Sequence, residues 1–388
     1  MKVLHTSDWH IGRKFDRESL EKEQEDFLEW LADQIKEQQI DLVVIAGDIY
    51  DRSMPAEEAV AVLDKGLDSL LSAGAKVVLI SGNHDSAARL GFGARRQALG
   101  GVHVFADVHS PPMPWIFEKN NEQLAVLGVP YLEPFGVAHP QPNKDGSPRP
   151  RTHQNVLVDA LEQGRNELNK HKNIPSLVMA HAFVNGAKSS DSEKTLSIGG
   201  AELVDASCFT GFDYVALGHL HRPQIIGSDK NIAYSGSPLP YSFSEDHKKS
   251  VRLLDFRDNK LSEITEIEIP LGRPVMTLTD TLESLLKNRK YEEYREYWVS
   301  AHLTDEIARV QPMEQLRERF PYIVNVRYST THDGAIERFS GKSIPVESRK
   351  PEEVVIEFLN ALRPKQEPSK EERVLVHQAV EYAMAEDD

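Results

Sequence analysis

The chain has 388 residues, with 45 lysine and arginine residues against 61 aspartate and glutamate residues, a formal net charge of −16. This acidic balance argues mildly against a nucleic-acid partner, although local patches, bound cations or a basic partner can reverse the field where it matters. A single cysteine excludes a disulfide within the chain and fits a reducing cytosol. No apolar run approaches the length of a membrane helix and no signal-peptide pattern opens the chain. We therefore expect a soluble, cytoplasmic protein of two or three domains with no membrane partner.

The first 270 residues alternate short apolar runs with helical patterns. Strands are predicted at KVLHTS, DLVVIAGD, KVVLI, 124–129, 176–181 and 213–218. Helices are predicted near 18–38, from Pro55 to Gly74 and near 151–170, and a long surface loop over 130–152. Continuous apolar strands between helices indicate an α/β domain over 1–270, with its sheet covered on both faces.

The character of the sequence changes after residue 270. PVMTLTD, YWVSAHLTD and YIVNVRYS are strand-like and are separated by helical stretches at 282–290 and 312–320. They predict a small α+β capping domain over 271–345. Residues 346–388 have a charged, helical pattern, and PEEVVIEFLNALR within them has an amphipathic spacing. Spacing alone leaves open whether this tail docks on its own domain or binds a partner.

Residues of metal-binding type follow five of the predicted strands. They are Asp8 and His10, Asp48, Asn83, His181, and His219 and His221. Loops at the carboxyl ends of strands converge on one crevice in open α/β sheets, so we expect these side chains to form one site. Two carboxylates, an amide oxygen and four imidazoles are too many for one tetrahedral zinc ion. They suit two octahedral-leaning divalent ions such as Mn²⁺ or Fe²⁺, bridged by Asp48.

The order of these motifs carries a resemblance. D-x-H, GD-x-x-D, GNHD, a lone histidine and GH-x-H resemble the calcineurin-like metallophosphoesterase superfamily. More narrowly, VLHTSDWHIG, GAKSSDSEK, ALGHLHRPQ and YSGSPLPYSFSE resemble its bacterial DNA-repair nucleases, densely over 1–250 and thinly beyond. The resemblance implies an α/β metallophosphoesterase-type layered sheet with flanking helices, a capping domain and a helical C-terminal tail. It also implies 3′–5′ exonuclease and endonuclease activity on duplex DNA ends and hairpins, a homodimer through the nuclease domain, and a tail that binds an SMC-like ATPase.

The resemblance also assigns roles to individual residues. The first ion would be held by Asp8, His10, Asp48 and His221, and the second by Asp48, Asn83, His181 and His219. Manganese is the expected metal, with Fe²⁺ or Mg²⁺ as alternatives. Water activated by the two ions would attack phosphorus directly. His84 would not ligate; it would stabilise the transition state or protonate the leaving 3′-oxygen, with Asp51 as a candidate orienter.

Three points stay open at this stage. Metal ligands specify phosphoester hydrolysis without specifying DNA, so a small phosphodiester or a phosphoprotein is the alternative substrate. A scaffold that has lost catalysis is a third hypothesis, against which the complete ligand set argues. Asp85 is predicted to cap a helix over 86–98, and Arg52 either contacts a phosphate or is only solvated. Local basic contacts with DNA are predicted at Arg89, Arg95, Arg96, Lys188, Lys194 and Arg222.

Overall fold

A computed structural model describes residues 1–143, 145–193, 203–228, 230–305, 309–328, 352–353, 355–356, 359 and 368–386. The chain divides into two compact units, Met1–Val275 and Met276–Asp388. Among the residues just given, no helix has both the length and the apolar character needed to cross a bilayer. Lys194 and most of the predicted amphipathic helix at 351–363 lie outside the described residues.

The strands are short and numerous. In chain order they are β1 Lys2–Thr6, β2 Lys14–Phe15, β3 Glu18–Ser19, β4 Leu42–Ile45, β5 Lys76–Ile80, β6 Val102–Phe105, β7 Trp115–Lys119, β8 Glu122–Val129, β9 Ser176–His181, β10 Phe183–Val184, β11 Leu203–Val204, β12 Tyr214–Gly218, β13 Gln224–Ile225, β14 Ile232–Tyr234, β15 Ser250–Arg257, β16 Lys260–Glu268, β17 Val275–Asp280, β18 Trp298–Leu303 and β19 Ile323–Tyr328. The α-helices are α1 Glu21–Gln38, α2 Glu57–Ser72, α3 Ala87–Leu90, α4 Ala94–Gly100, α5 His153–Leu168, α6 Leu282–Lys287, α7 Pro312–Arg319 and α8 Lys370–Glu386. Short 3₁₀ helices occupy Ala206–Phe209 and Arg289–Tyr294.

The first unit contains two six-stranded sheets. One has the strand order β16-β15-β1-β4-β5-β6, and the other has the order β13-β14-β12-β9-β8-β7. The run β1-β4-β5-β6 is parallel, and so is the run β14-β12-β9-β8. Antiparallel strands border each parallel run. The carboxyl ends of the parallel strands in each sheet therefore lie along one edge.

Alternate residues along the strands pack on opposite faces. In β4, Val43 and Ile45 join the core formed with α1 and α2, whereas Leu42 and Val44 join a core that also contains Leu177 of the second sheet. A third core lies between the second sheet and α5. The result is a four-layer sandwich, with helices outside and two sheets facing each other inside. The α/β class and the flanking helices are as predicted, but the strands belong to two sheets, so each sheet has helices on only one face.

The second unit has its own core. Strands β17, β18 and β19 form a three-stranded sheet, and α6 and α7 contribute Leu282, Leu285 and Leu316 to the apolar cluster beside it. Strands and helices occur in this unit in the predicted order. Helix α8 follows within the predicted tail, and the division into three domains at 270 and 345 stays a prediction.

His5 in β1 provides a test of the inter-sheet packing. Its ring is buried, with Nδ1 3.0 Å from the Tyr214 hydroxyl and Nε2 3.2 Å from the Leu217 carbonyl oxygen. Burial, reinforced by the charge of Arg252, lowers the pKa of His5 to about 3. The unfolded chain, with a histidine pKa of about 6.5, therefore binds the extra proton first as the pH falls. Stability attributable to His5 is present above pH 6.5 and is lost progressively between about pH 6.5 and 3.

We expect His5→Gln to flatten the fall of unfolding free energy over that pH window, by an amount on the order of a few kcal/mol at its acid end. The measurement is urea denaturation at a series of pH values. Exposed His109→Gln is the matched control and should follow the parent protein. If the unfolding free energy of His5→Gln depends on pH as steeply as that of the parent protein, His5 is not the source of this pH dependence.

Candidate metal centre

The predicted ligands meet where the two sheets present their carboxyl ends to the same crevice. Three neighbouring strands of the first sheet, β1, β4 and β5, lead into Asp8 and His10, into Asp48 and into Asn83. Two neighbouring strands of the second sheet complete the set: β9 ends at His181, and β12 leads into His219 and His221. The site therefore depends on both sheets, because the first sheet supplies four of the seven residues and the second sheet supplies three of the four histidines.

The backbone of the ligand loops is fixed by hydrogen bonds and by unusual dihedral angles. The Asp8 amide donates to the Gly47 carbonyl oxygen and the His10 amide to the Asp48 carbonyl oxygen, both at 3.0 Å. Asp8, His10, Asp48 and His219 all have positive φ, at 54°, 45°, 50° and 105°. Non-glycine residues adopt this region at a cost of about 1–3 kcal/mol each, and such residues cluster at functional sites. Four of the seven predicted ligands are strained in this way.

A first group of donors surrounds His10. The Nε2 atoms of His10 and His221 lie 3.1 Å apart, and both rings are buried. Asp8, His10 and His221 offer ligand atoms that all lie within 4.8 Å of one another. The Asp8 carboxylate is itself held by the Ser7 hydroxyl at 2.6 Å and by the His219 amide at 2.9 Å. Two imidazole nitrogens and a carboxylate oxygen therefore point at one small volume, as they would around a cation.

A second group surrounds the Asn83 side chain. Its Oδ1 atom lies 2.9 Å from His181 Nε2 and 3.1 Å from His219 Nδ1. The other nitrogen of His181, Nδ1, lies 2.9 Å from the Ala46 carbonyl oxygen, which can only accept. That contact places one ring proton on Nδ1, so Nε2 is the nitrogen that would face a metal ion.

Asp48 lies between the two groups. Its Oδ2 atom is 3.5 Å from His10 Nε2 and 3.5 Å from His181 Nε2, while Oδ1 accepts from the His84 amide at 2.9 Å. A Cβ atom at Gly82 would lie 2.1 Å from Asp48 Oδ1, so only glycine allows this approach of the loop after β5 to Asp48. Asp48, the carboxylate predicted to bridge two ions, thus contacts both groups; Asp8 also offers an oxygen within 4.8 Å of donors on Asp48 and His181. The donor chemistry fits a dimetal site.

The charges of the buried groups also favour cations. Burial lowers the pKa values of His10 and His219 to about 3, so these rings are neutral and have lone pairs to donate. Burial raises the pKa of Asp8 to about 6. Burial also opposes ionisation of Asp48, but His181 beside it holds the Asp48 pKa well below its ordinary value. Although burial opposes it, the charge of Asp48 raises the His181 pKa to about 9. Without metal, a proton on His181 therefore compensates the negative charge of Asp48, at the place where a cation would bind.

His84 approaches the same groups from one side. Its ring centroid is 4.7 Å from that of His10, and it can offer a nitrogen within 4.8 Å of donors on His10 and Asp48. Its Nδ1 atom donates to the backbone carbonyl of Asp51 at 2.9 Å. The predicted contact between His84 and Asp51 exists, but through the main chain. The Asp51 carboxylate instead lies 3.5 Å from His10 Nδ1 and 3.2 Å from Arg13.

The prediction that Asp85 caps a helix over 86–98 was wrong. That segment contains two short helices, α3 and α4, and Ser86 caps the first of them. The Asp85 carboxylate accepts from the amides of Ile49, Tyr50 and Gly82, at 3.1, 2.9 and 2.8 Å. It therefore ties the loop after β5 to the loop after β4, and it holds the segments of Asn83 and Asp48 together.

We expect Asp85→Ala to destabilise the protein by about 1–3 kcal/mol, because three main-chain donors lose their acceptor. It should also weaken metal binding, since two ligand loops are released. Ser86→Ala is the matched control: it removes only a cap that accepts from the Arg89 amide at 3.4 Å and should leave metal binding unchanged. Urea denaturation and Mn²⁺ titration measure both effects. Equal effects of the two substitutions would contradict the role of Asp85 as a clamp.

Sequence reasoning did not assign a group of side chains behind His221. Ser192 and Glu193 come from the GAKSSDSEK segment, and Tyr241, Glu245 and Lys249 come from residues 235–249. The Tyr241 hydroxyl donates to the Trp9 carbonyl oxygen at 2.5 Å, and its ring contacts those of both His10 and His221 edge-on. Glu193 accepts a hydrogen bond from the His221 amide. The segments that contain Ser192, Glu193, Tyr241 and Glu245 resemble those of the nuclease family, but the resemblance assigned no role to these individual residues.

Comparison with known proteins places the chain among relatives. Residues 1–223 match the calcineurin-like phosphoesterase family. The chain is 31% identical over 327 residues to the SbcD subunit of nuclease SbcCD from Staphylococcus epidermidis, across 84% of this chain and 84% of that protein. It is 32% identical over 302 residues to the SbcD subunit of nuclease SbcCD from Escherichia coli K12, across 76% and 74% of the two chains. The crystal structure of TT1561 of Thermus thermophilus aligns with 69% of this chain and 98% of that one, at 14% identity and a TM-score of 0.41.

The fold, the site and the match over residues 1–223 define a calcineurin-like metallophosphoesterase, an enzyme that cleaves phosphodiester bonds. The similarity to the two SbcD proteins is more specific, since it extends well beyond the phosphoesterase region. The chain belongs to the SbcD family of SbcCD nuclease subunits. The resemblance stated from the sequence is thereby confirmed.

Proposed function

We propose that the chain is a Mn²⁺-dependent DNA nuclease with 3′–5′ exonuclease and endonuclease activity on duplex ends and hairpins. It works with an SbcC-like, SMC-type ATPase in double-strand-break and hairpin processing. The observation that carries this proposal is the similarity to an SbcD protein over 84% of both chains. The convergence of two donor groups on Asp48 supports it, because two bridged ions suit in-line displacement at phosphorus.

In this proposal the chain's own residues hold the metal and move one proton. Asp8, His10, Asp48 and His221 hold one ion, and Asp48, Asn83, His181 and His219 hold the other. When bound, the two ions supply an activated water and neutralise charge on the phosphate. His84 keeps a proton on Nδ1, because that atom donates to a carbonyl oxygen. As an imidazolium it therefore donates through Nε2 to the leaving 3′-oxygen.

The net charge of −16 requires basic surface from elsewhere. Among the predicted local contributors, Arg95 and Arg96 on α4 are exposed, whereas Arg222 lies 3.4 Å from Asp246 and Arg89 donates to the Ser53 carbonyl oxygen. We propose that a homodimer through the nuclease domain and the ATPase partner, together a heterotetramer, supply the rest. Residues 271–345 form the capping domain, and the tail from 346 to 388, which includes α8, binds the ATPase.

The test is cleavage of open-ended, end-blocked and hairpin DNA by the Mn²⁺-loaded chain, with and without a co-expressed ATPase partner. A bis-aryl phosphodiester is assayed in parallel, and Asp48→Asn serves as the inactive control. We expect 3′–5′ shortening of open ends, cleavage of hairpins, and a gain in both with the ATPase. Turnover of the bis-aryl ester with all DNA left intact, even with the ATPase, would replace the DNA proposal with a small phosphodiester substrate.

A further inference from the structure

His221 contacts a largely buried chain of polar side chains on the side away from His10. Its Nε2 atom faces His10, and its Nδ1 atom lies 2.7 Å from the Ser192 hydroxyl. The same hydroxyl lies 2.7 Å from Glu245 Oε1, and Glu245 Oε2 accepts from the Lys249 ammonium at 2.5 Å. Four side chains from three segments thus form one chain of hydrogen bonds that ends on a metal-site histidine.

The donors and acceptors of this chain of hydrogen bonds have one consistent direction. A hydroxyl has a single proton, and the Glu245 carboxylate can only accept, so the Ser192 proton points at Glu245. The Ser190 hydroxyl, 2.9 Å from the Ser192 oxygen, is then the donor in that contact. The Ser192 oxygen is then left to accept from His221 Nδ1, which fixes the ring proton on Nδ1. The Nε2 lone pair is consequently free on the side of His10. Glu245 Oε1 and Glu193 Oε1 also lie 3.5 and 3.6 Å from His221 Nδ1, and as acceptors they favour the same tautomer.

A purely structural ion pair explains this arrangement less well. Glu245 and Lys249 are both buried, and a buried ion pair is often no more stabilising than apolar side chains of the same size. Glu245 does close its own turn, since Oε1 also accepts from the Tyr241 amide at 3.1 Å and from the Ser242 hydroxyl at 3.1 Å. Ser192 has no such duty toward residues 241–245 beyond its bond to Glu245. Its hydroxyl connects Glu245 to His221.

We propose that Ser192, Glu245 and Lys249 are positioning residues that hold His221 in its Nδ1–H tautomer, and so give it metal affinity. Ser192 acts on the ring directly, Glu245 fixes the Ser192 proton, and Lys249 keeps Glu245 ionised. Outer hydrogen bonds of this kind typically contribute about 10–100-fold to metal affinity. The inference rests on the proposed role of His221 as a ligand of the first ion, and it gives the SSDSE and SFSEDHK segments a definite function.

The test compares three variants at the turn. Ser192→Ala removes the acceptor for His221, and Ser192→Thr restores a hydroxyl. Ser244→Ala removes a nearby hydroxyl that accepts from the Asp191 amide at 2.8 Å and lies 2.9 Å from the Ser242 hydroxyl, but that has no bond to His221. The first measurement is ¹⁵N NMR of His221 in metal-free protein with selectively labelled histidine. We expect the Nδ1–H tautomer in the parent, in Ser192→Thr and in Ser244→Ala, and a shift toward a mixture in Ser192→Ala.

The second measurement is calorimetric titration of the same proteins with Mn²⁺. We expect one of two binding events to weaken about 10–100-fold in Ser192→Ala, with the second unchanged and affinity recovered in Ser192→Thr. Parent-like tautomer and affinity in Ser192→Ala would overturn the inference, as would equal losses in Ser244→Ala, which would indicate simple anchoring of the turn. Failure of the parent itself to bind two Mn²⁺ ions would instead overturn the proposed function.

Discussion

Asp48→Asn is expected to reduce DNA cleavage by about 10³-fold or more. The asparagine keeps an oxygen that can accept from the His84 amide, so the loop should keep its shape. It loses the anionic oxygen that lies 3.5 Å from both His10 and His181, and with it the group that both ions would share. Cleavage rates and Mn²⁺ titration measure the two consequences together.

Exposed Asp33→Asn on α1 is the control for loss of one negative charge, and it should cleave and bind Mn²⁺ like the parent. The bridging role requires that Asp48→Asn weaken both Mn²⁺ binding events. Weakening of one event alone, with cleavage reduced less than about 10-fold, would place Asp48 on a single ion.

His84→Ala is expected to reduce DNA cleavage by about 10²–10⁴-fold while leaving Mn²⁺ binding unchanged. The reason is that His84 supplies a proton to the leaving 3′-oxygen and does not hold a metal. A substrate whose leaving group needs no proton, such as a nitrophenyl ester, should lose far less activity. The ratio of the two losses separates proton donation from any general damage to the site.

The position of His84 makes this experiment informative. A His84 nitrogen lies within reach of the donors on His10 and Asp48, so geometry alone permits it to ligate. If His84→Ala lowers Mn²⁺ affinity, His84 belongs to the metal ligands. An equal fall in cleavage of both substrates would contradict proton donation and indicate general damage to the site. Retention of full DNA cleavage would remove it from the mechanism.

The sequence predicts this site well because its geometry follows from strand ends. Metal-binding residue types directly after apolar strands are visible in the chain, and the carboxyl ends of parallel strands have to lie at a sheet edge. Asp8, Asp48 and Asn83 converge for that reason. The structure shows that these residues lie close together, whereas their assignment as metal ligands remains a prediction.

What the sequence did not predict depends on contacts between distant segments. A buried strand shows the same apolar run whether a helix or a second sheet covers it, so the division of the strands into two sheets was not visible. An aspartate after a turn looks like a helix cap, yet Asp85 bonds to amides 35 and 36 positions away. Asp51 does contact His84, but through its main-chain carbonyl oxygen, which the side-chain pattern does not reveal. Ser192 and Glu245, 53 positions apart, meet only through the fold.

The central claim is that seven side chains from both sheets hold two ions bridged by Asp48, with His84 beside them but not bound. The most direct measurement is a crystal structure of the protein with Mn²⁺, using anomalous scattering to locate the metal. We predict two anomalous peaks about 3.5–4 Å apart, both coordinated by Asp48 and neither by His84. A single peak, or a peak coordinated by His84 in place of Asp48, would contradict the account.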